Sequence, residues 1–467
     1  MNTKNWNRRD LLKTFSAAVV GTAVTIPAHV KANHPTLPEY LINKRYRKPG
    51  EPVTAVVLGA GNRGNVYASY AEKYPDELKI VGVAEPVEHK RKTFAKRYSI
   101  PIKHQWITWE HALEIPKFAD ALIITTPDHL HYGPAMQGME LGYDLLLEKV
   151  MAQTWQECKD ILHQSKKQDS IVAICHVLRY TSYFRKLKEI IDSGELGEVV
   201  SVQHLEPVEH IHMSHSFVRG NWGNKEESNS MILSKSCHDT DILRWLVGKS
   251  CRRVSSFGSL KHFREKNAPK GSTARCTDGC AAEAECPYSA KRIYLKNKGS
   301  WMLSHLNISD DEDETIIEAL KSGPYGKCVY RTDNNVVDHQ VMIMDFEDEI
   351  TASFNMEAFT HYGGRYTRIF GTKGDIIGDM QTLTFTKFLT GAQEKWDVSM
   401  GAAADSGHGG GDYGLVHDFV QAVSQQDPSL LTSPIDASVE SHLMGFMAEE
   451  SRLNGGKSME IKLDIQD

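Results

Sequence analysis

Between residues 51 and 175, short apolar runs alternate with amphipathic stretches. The runs at 53–58, 78–84, 119–126, 143–147 and 171–174 are too short for helices and apolar on both faces, which predicts buried strands. The stretches at 65–73, 88–98, 132–141 and 153–167 carry a helical period, and 106–113 turns into a shorter helix. Strands alternating with helices predict an α/β fold, a doubly wound parallel sheet whose ligands gather at the carboxyl ends of its strands. Thr126, Pro127, His131, Glu148, Lys149 and His176 fall at such ends. From 176 to 467 the order changes. A helix at 183–193 leads to an alternating strand at 199–205 and a helix at 232–246. Runs at 336–345, 350–356, 366–370, 374–380 and 383–388 then read as strands, followed by helices at 415–423 and 438–453. This predicts a second α/β domain, with a loop-rich insertion at about 258–330.

Residues 1–32 read as a targeting segment. Asn7-Arg8-Arg9-Asp10-Leu11-Leu12-Lys13 is a twin-arginine pattern, followed by an apolar run at 15–28 too short to span a bilayer. Val30-Lys31-Ala32 offers small residues for a signal peptidase. Export to the periplasm or beyond is expected, with no membrane segment in the mature chain and a polar arm at 33–50. A chain of 467 residues with 40% hydrophobic and 24% charged residues is of globular type and long enough for two or more domains. A net charge of -6 without a basic block argues against a nucleic-acid partner.

The first predicted strand runs into Gly59-Ala-Gly61-Asn62-Arg63-Gly64. Glycines at this spacing, between a strand and a helix, give a tight turn, close approach of a pyrophosphate, and close helix packing. The second strand ends on Glu85, where an acidic side chain receives ribose hydroxyls and repels a 2′-phosphate. The expected cofactor is NAD rather than NADP.

Gly-Ala-Gly-Asn-Arg-Gly, Thr125-Thr-Pro-Asp-His-Leu-His131 and Leu146-Leu-Glu-Lys149, in this order, resemble the glucose–fructose oxidoreductase/inositol dehydrogenase (Gfo/Idh/MocA) family. Arg179-Tyr180, Glu195-Leu-Gly-Glu-Val199, Cys237-His238-Asp-Thr-Asp241 and Arg368-Ile-Phe-Gly-Thr-Lys-Gly374 extend the likeness over about 51–455. It implies an NAD-binding Rossmann domain (51–175) and a C-terminal substrate and oligomerisation domain (176–467). The latter has a large, open, mostly antiparallel sheet, and a homo-oligomer is expected. It also implies that Lys149 and His238 are catalytic. Two departures stand out: Val150 replaces the usual proline after Glu-Lys, and Ser234 replaces an aspartate four residues before the histidine. Lys235 or Asp241 is expected to support His238 instead.

The substrate is expected to be held by His176, Arg179, Tyr180, His210, Arg219, Trp222 and Asp241, with Trp222 offering a ring face to a sugar. Histidines 210, 212 and 215 are spaced so that metal ligation is an alternative. The stretch 406–413, with His408 and Asp412, is expected to be a loop that closes over the substrate, or else a solvent loop. Three of the eight cysteines crowd into Cys276-Thr-Asp-Gly-Cys280-Ala-Ala-Glu-Ala-Glu-Cys286. With Cys328 or His262 they fit a structural zinc site, and in an exported chain they fit disulfides, with an iron–sulfur cluster as a third possibility.

Oxidising a carbinol sends a hydride to nicotinamide and a proton to a base. Lys149 is the expected base, its pKa lowered by burial and the cofactor's positive ring, with His238 as partner or alternative base. Three activities fit: an NAD-dependent oxidoreductase acting on a sugar or glycoside hydroxyl, perhaps at C3, with tightly bound cofactor; a redox-neutral NAD-dependent glycosidase; and a non-catalytic sugar-binding protein.

Overall fold

A computed structural model describes residues 50–398 and 408–463, which fall within one compact unit. The expected targeting segment at 1–32 and the arm up to residue 49 lie outside the described residues. So do 399–407, which include the first part of the expected closing loop.

The five apolar runs of the first half, joined by a two-residue edge strand where only a turn was expected, form a six-stranded sheet from β1 (Val53–Leu58), β2 (Leu78–Ala84), β3 (Gln105–Trp106), β4 (Ala121–Ile124), β5 (Asp144–Leu147) and β6 (Val172–Ile174). Every pairing is parallel and the order is β3-β2-β1-β4-β5-β6. The order reverses at β1 and β4, which opens the crevice where such sheets take ligands. Apolar side chains on both faces explain the topology: each face must be covered by helices. Helices Glu88–Arg97, Tyr132–Glu140 and Trp155–Gln168 appear as predicted to within a few residues. Thr154 and Glu157 close the start of the last of these with a capping box.

The second sheet has nine strands: β7 (Val199–Pro207), β8 (Cys251–Ser259), β9 (His339–Phe346), β10 (Thr351–Glu357), β11 (Tyr366–Gly371), β12 (Gly374–Gly378), β13 (Thr382–Lys387), β14 (Gln393–Asp397) and β15 (Met459–Glu460). Its order is β14-β13-β12-β11-β7-β10-β9-β8-β15, antiparallel except where β7 pairs with β10. Alternate side chains of β9, β10, β11 and β12 are buried, so one face packs on helices and the other meets solvent.

Three expectations change. The predicted helix at 232–246 is two helices, Met231–Ser234 and Cys237–Val247, interrupted at Lys235 and Ser236. The segment Met213–Arg219 is a π-helix rather than a continuation of strand spacing, and every residue in it is buried. The insertion is not all loop. Its helices Ala290–Lys296 and Asp313–Ser322 form their own small core around Tyr294, Ile316 and Leu320. The chain also returns to the first sheet near its end. Leu415, Val416 and Phe419 of helix Gly411–Gln425 join the cluster that contains Ala55 and Val57 of β1. Val439 of helix Ile435–Leu453 joins the one that contains Leu122 and Leu145.

Candidate active site

The glycine turn is built as the spacing requires. Gly59 has φ +98, and a Cβ there would lie 2.6 Å from the Thr125 carbonyl oxygen. A Cβ on Gly64 would lie 2.1 Å from the Gly59 oxygen, so helix and turn touch at backbone distance. A Cβ on Gly61 would meet nothing within 4 Å, which leaves this side open for a ligand to approach the backbone. Asn65 Nδ2 donates to the carbonyls of Ala60 (2.9 Å) and Gly61 (2.8 Å) and fixes the turn. Asn62 is exposed at the start of helix Asn62–Ala68. Glu85 is buried at the end of β2, where its carboxylate accepts from the amides of Ala60 and Val87, both at 2.9 Å. This open turn backed by a carboxylate fits a dinucleotide. Thr126 and Pro127 follow β4 into the turn Asp128–Leu130. His131 is buried between two carbonyls, with Nδ1 2.5 Å from Val150 O and Nε2 2.9 Å from Thr126 O. It braces the ends of β4 and β5 against each other, so its ring nitrogens are not free for a cofactor.

At the end of β5, Glu148 accepts hydrogen bonds from Arg63 Nε (2.8 Å), Tyr67 OH (2.7 Å) and the Lys149 amide (2.8 Å). Burial pushes its pKa up, but the charges of Arg63 and Lys149 outweigh burial and hold it below the ordinary carboxylate value. Arg63 also reaches Asp412 Oδ1 at 2.5 Å. Asp412 is therefore not part of an open loop: it is buried in the first turn of helix Gly411–Gln425 and tied to the glycine turn. Lys149 donates from Nζ to Ser234 O at 2.7 Å, and its ammonium lies 5.6 Å from the Trp222 ring centre. The expected lowering of its pKa is not found among the protein groups. Burial lowers it, yet negative charge at Cys237, Asp128 and Glu148 raises it above the ordinary value. Burial holds the Cys237 thiol itself near 12, so the lasting charges are those of the two carboxylates.

His238 arrives from the second half, one residue into helix Cys237–Val247. Its Nδ1 is buried without a hydrogen-bond partner among the described residues. Burial, then the charges of Lys149 and His176, depress its pKa well below the usual value and keep the ring neutral. The residues expected to support it are engaged elsewhere. Asp241 takes a two-point hydrogen bond from Arg179 (Nε to Oδ2 2.7 Å, Nη2 to Oδ1 2.6 Å). Lys235 lies 3.3 Å from Glu206. Arg179 and Asp241 were expected at the substrate, but both are buried and satisfy each other, with the third donor of Arg179 on Thr432 O. Tyr180 is likewise buried, its hydroxyl 3.0 Å from Ser433 Oγ. His176 stays near the site: its ring is 6.1 Å from that of His238, neither ring nitrogen has a hydrogen-bond partner among the described residues, and Nε2 lies 3.7 Å from Asp241 Oδ1.

Residue reading missed the charged layer beneath these groups. On β7, Glu206 is approached by Arg365 (2.6 Å) and Lys235, and Ser236 Oγ donates to it at 2.8 Å. Arg365 Nε also donates to Asp239 Oδ1 at 2.5 Å, and the His204 ring stands 3.0 Å from that oxygen. Burial raises Glu206 to about 7, while Arg365 and His204 hold Asp239 below the carboxylate range against burial. Alternation along 199–205 was the available signal: His204 and Glu206 sit on the buried face of a strand, where a charge needs a partner.

Trp222 is at the site. Its indole N–H donates to both Asp128 oxygens at 3.2 Å, linking the second half to the end of β4. His210 is partly exposed, with Nδ1 3.1 Å from Thr360 O and 3.0 Å from Glu209. Arg219 is displaced into the cysteine cluster. It donates to Lys327 O (2.7 Å) and Tyr288 O (2.6 Å), and Nη2 is 3.8 Å from Cys276 Sγ. Cys276, Cys280, Cys286 and Cys328 line one cavity with it, all as free thiols. The zinc site expected from their spacing is not formed: among the described residues no three His, Cys, Asp or Glu side chains could share a metal. The fixed guanidinium beside Cys276 opposes a divalent cation there. His262 instead places Nε2 3.1 Å from Tyr330 OH.

Residues 53–176 match the family of oxidoreductases with an NAD-binding Rossmann fold (Gfo/Idh/MocA), and residues 188–461 match that family's C-terminal α/β domain. The protein YteT of Bacillus subtilis is 24% identical over 316 residues, 64% of this chain and 72% of that protein. The scyllo-inositol 2-dehydrogenase (NAD(+)) of Bacillus subtilis is 24% identical over 214 residues, 44% of this chain and 58% of that one. An inositol dehydrogenase homolog from Azotobacter vinelandii, solved with NADH and myo-inositol, covers 88% of this chain and 98% of its own. It superposes with a TM-score of 0.61 at 14% identity. An oxidoreductase from Agrobacterium radiobacter, solved with NAD+, L-tartaric acid and magnesium, gives 0.64 at 12% identity over the same shares. At these identities the structural likeness is one of fold.

Proposed function

The chain belongs to the Gfo/Idh/MocA family of NAD-binding oxidoreductases, and from that premise we propose that it oxidises a ring hydroxyl of a sugar, glycoside or cyclic polyol. Bound NAD would supply the hydride acceptor and a positive charge that favours a neutral Lys149. The observation that carries the reading is convergence. Lys149 comes from the end of a first-sheet strand, and His238 from a second-sheet helix. They are close enough for the lysine's charge to depress the histidine's pKa, with the Trp222 ring beside Lys149. Lys149 accepts the hydroxyl proton, and the Ser234 carbonyl holds the resulting ammonium. His238 stays neutral and hydrogen-bonds the reacting oxygen. Trp222 turns an apolar ring toward the C–H face of the substrate. Export through the twin-arginine segment belongs to the same proposal and calls for a cofactor that does not dissociate.

The test has two arms. Purified protein is denatured and its supernatant analysed by mass spectrometry, where NAD is expected; Glu85→Ser should admit NADP. The protein is then incubated with monosaccharides, inositols, disaccharides and nitrophenyl glycosides, and products are read by NMR. A keto product is expected. Free aglycone without net reduction would assign the redox-neutral glycosidase instead, and absence of both oxidised product and dinucleotide would overturn the reading.

A further inference from the structure

Trp301 opens a short 3-10 turn, Trp301–His305, in the cysteine-bearing insertion. It is 43% exposed, although its position is tightly fixed. The rings of His212, His215 and His305 lie 5.2, 5.0 and 5.6 Å from the indole and stand at 71°, 89° and 86° to it. His215 is itself anchored, with Nδ1 2.6 Å from Tyr294 OH and its ring stacked on Tyr325 at 4.7 Å and 15°. The core of the insertion thus holds an exposed indole in one plane. His212 leads from it toward the catalytic residues: its ring lies 5.7 Å from that of Phe217, which stacks on Trp222 at 5.8 Å. Burial, followed by the charges of Lys235, His215, Arg365 and His408, depresses the His212 pKa, and of these Arg365 and His408 also act on His238. Two rings, those of His212 and Phe217, stand between Trp301 and Trp222.

The other end of the same turn faces a polar space. His305 lines a cavity of about 550 Å³ whose walls also carry Asn221, Asn224, Asn307, Lys327 and Asp333. A pyranose ring has the matching character: a C–H face that lies on an aromatic plane, and a rim of hydroxyls that pair with amides, carboxylates and ammonium groups.

We propose that the insertion builds a second carbohydrate subsite next to the catalytic residues, with Trp301 as its platform, so that the substrate is an oligosaccharide or glycoside rather than a free monosaccharide. The proposal rests on the sugar-oxidising reading for its link to turnover, but its binding claim is separable. Binding of mono-, di- and trisaccharides of glucose, galactose, mannose and xylose to the NAD-bound full chain is measured by saturation-transfer NMR and calorimetry. At least one oligosaccharide should bind about tenfold tighter than its monosaccharide. Trp301→Ala should remove that advantage and leave the monosaccharide constant unchanged, and Trp301→Phe should restore most of it. If no oligosaccharide outbinds its monosaccharide, or Trp301→Ala keeps the advantage, the subsite is overturned. If the advantage is present and Trp301-dependent while no sugar is oxidised, the subsite stands and only the oxidoreductase reading falls.

Discussion

Lys149 and Lys235 show how one residue type takes different roles according to its surroundings. Both are half-buried and neighbour each other. Lys149 faces Asp128 and Glu148 and is held above the usual value despite burial. Lys235 is held below it, because burial and the charges of Arg365 and Lys149 outweigh the attraction of Glu206. Lys149 is the one at the end of a sheet strand, at the crevice, and it is the residue to test. Lys149→Met keeps the length of the side chain and removes the proton acceptor. The expected outcome is a loss of about 10²–10⁴ in kcat with the NAD dissociation constant unchanged. Near-normal turnover by this variant would shift the base to His238 or Lys235. Several residue roles could not be read from the chain. Arg179 and Asp241 carry the chemistry of a sugar site, yet they are 62 positions apart and saturate each other. Two charged residues that pair across the fold leave no local spacing to betray it.

Among the secondary elements, Arg63 is the hinge pin. It extends from the helix after the glycine turn and bonds Glu148 at the end of β5 and Asp412 at the start of helix Gly411–Gln425. Asp412 lies below the carboxylate range: burial pushes it up, but Arg63 and His408 pull it down further. Asp412→Asn removes the charge and keeps the shape. It should cost about 1–3 kcal/mol, the range for a charged hydrogen bond with a buried partner. It should also weaken NAD binding, because the glycine-turn helix loses its tether to helix Gly411–Gln425. Thermal melts with and without NAD check both; an unchanged NAD-induced shift would separate the tether from the cofactor cradle. The exposed pair Arg252–Asp345, 2.8 Å apart, is a fair control, since surface pairs contribute little. Most strands and helices of the first half were legible because each was an uninterrupted apolar run or a helical period; the two-residue strand β3 was too short for either, and the helix read at 65–73 is two, Asn62–Ala68 and Tyr70–Lys73. The break at Lys235–Ser236 was not, because Met231 to Val247 keeps helical spacing through it while the backbone turns to bring Ser234 O to Lys149. The π-helix at 213–219 escaped for a related reason: with all sides buried, its sequence has no polar face to give a period.

Across the whole molecule, the family and the two-sheet plan were legible from ordered motifs, while the way the chain closes on itself was not. Helices at 411–425 and 435–453 return to the first sheet, and they bring His442 beneath the end of β5. There Nδ1 lies 2.7 Å from Ser438 O and the Met151 amide donates to Nε2 at 3.1 Å, an arrangement that needs a neutral ring. Burial, then the charge of His176, lowers His442 to about 3, and burial lowers His215 to about 3. His176 and His238 are depressed in the same direction. A base whose folded pKa lies below its unfolded value of 6.5 contributes its full stability above that value. That contribution is lost as pH falls below 6.5, by up to about 1.4 kcal/mol per pH unit for each such histidine. Glu206 acts in the opposite sense: raised from 4.5 to about 7, it favours the folded state below 4.5 and loses that advantage as pH rises through 7. Several histidines outweigh one carboxyl, so the melting temperature should fall steeply between pH 6.5 and about 4.5. His442→Gln keeps an acceptor and a donor without a titrating ring. It should melt lower than the parent at pH 7, because the geometry is imperfect, yet lose less between pH 6.5 and 4.5 by about one histidine's share. Glu206→Gln should steepen the acid loss and flatten the profile above pH 6. Melting curves of the three proteins at half-unit intervals decide the matter. Parallel profiles for the parent and His442→Gln would mean that the buried histidines are not what makes the molecule acid-sensitive.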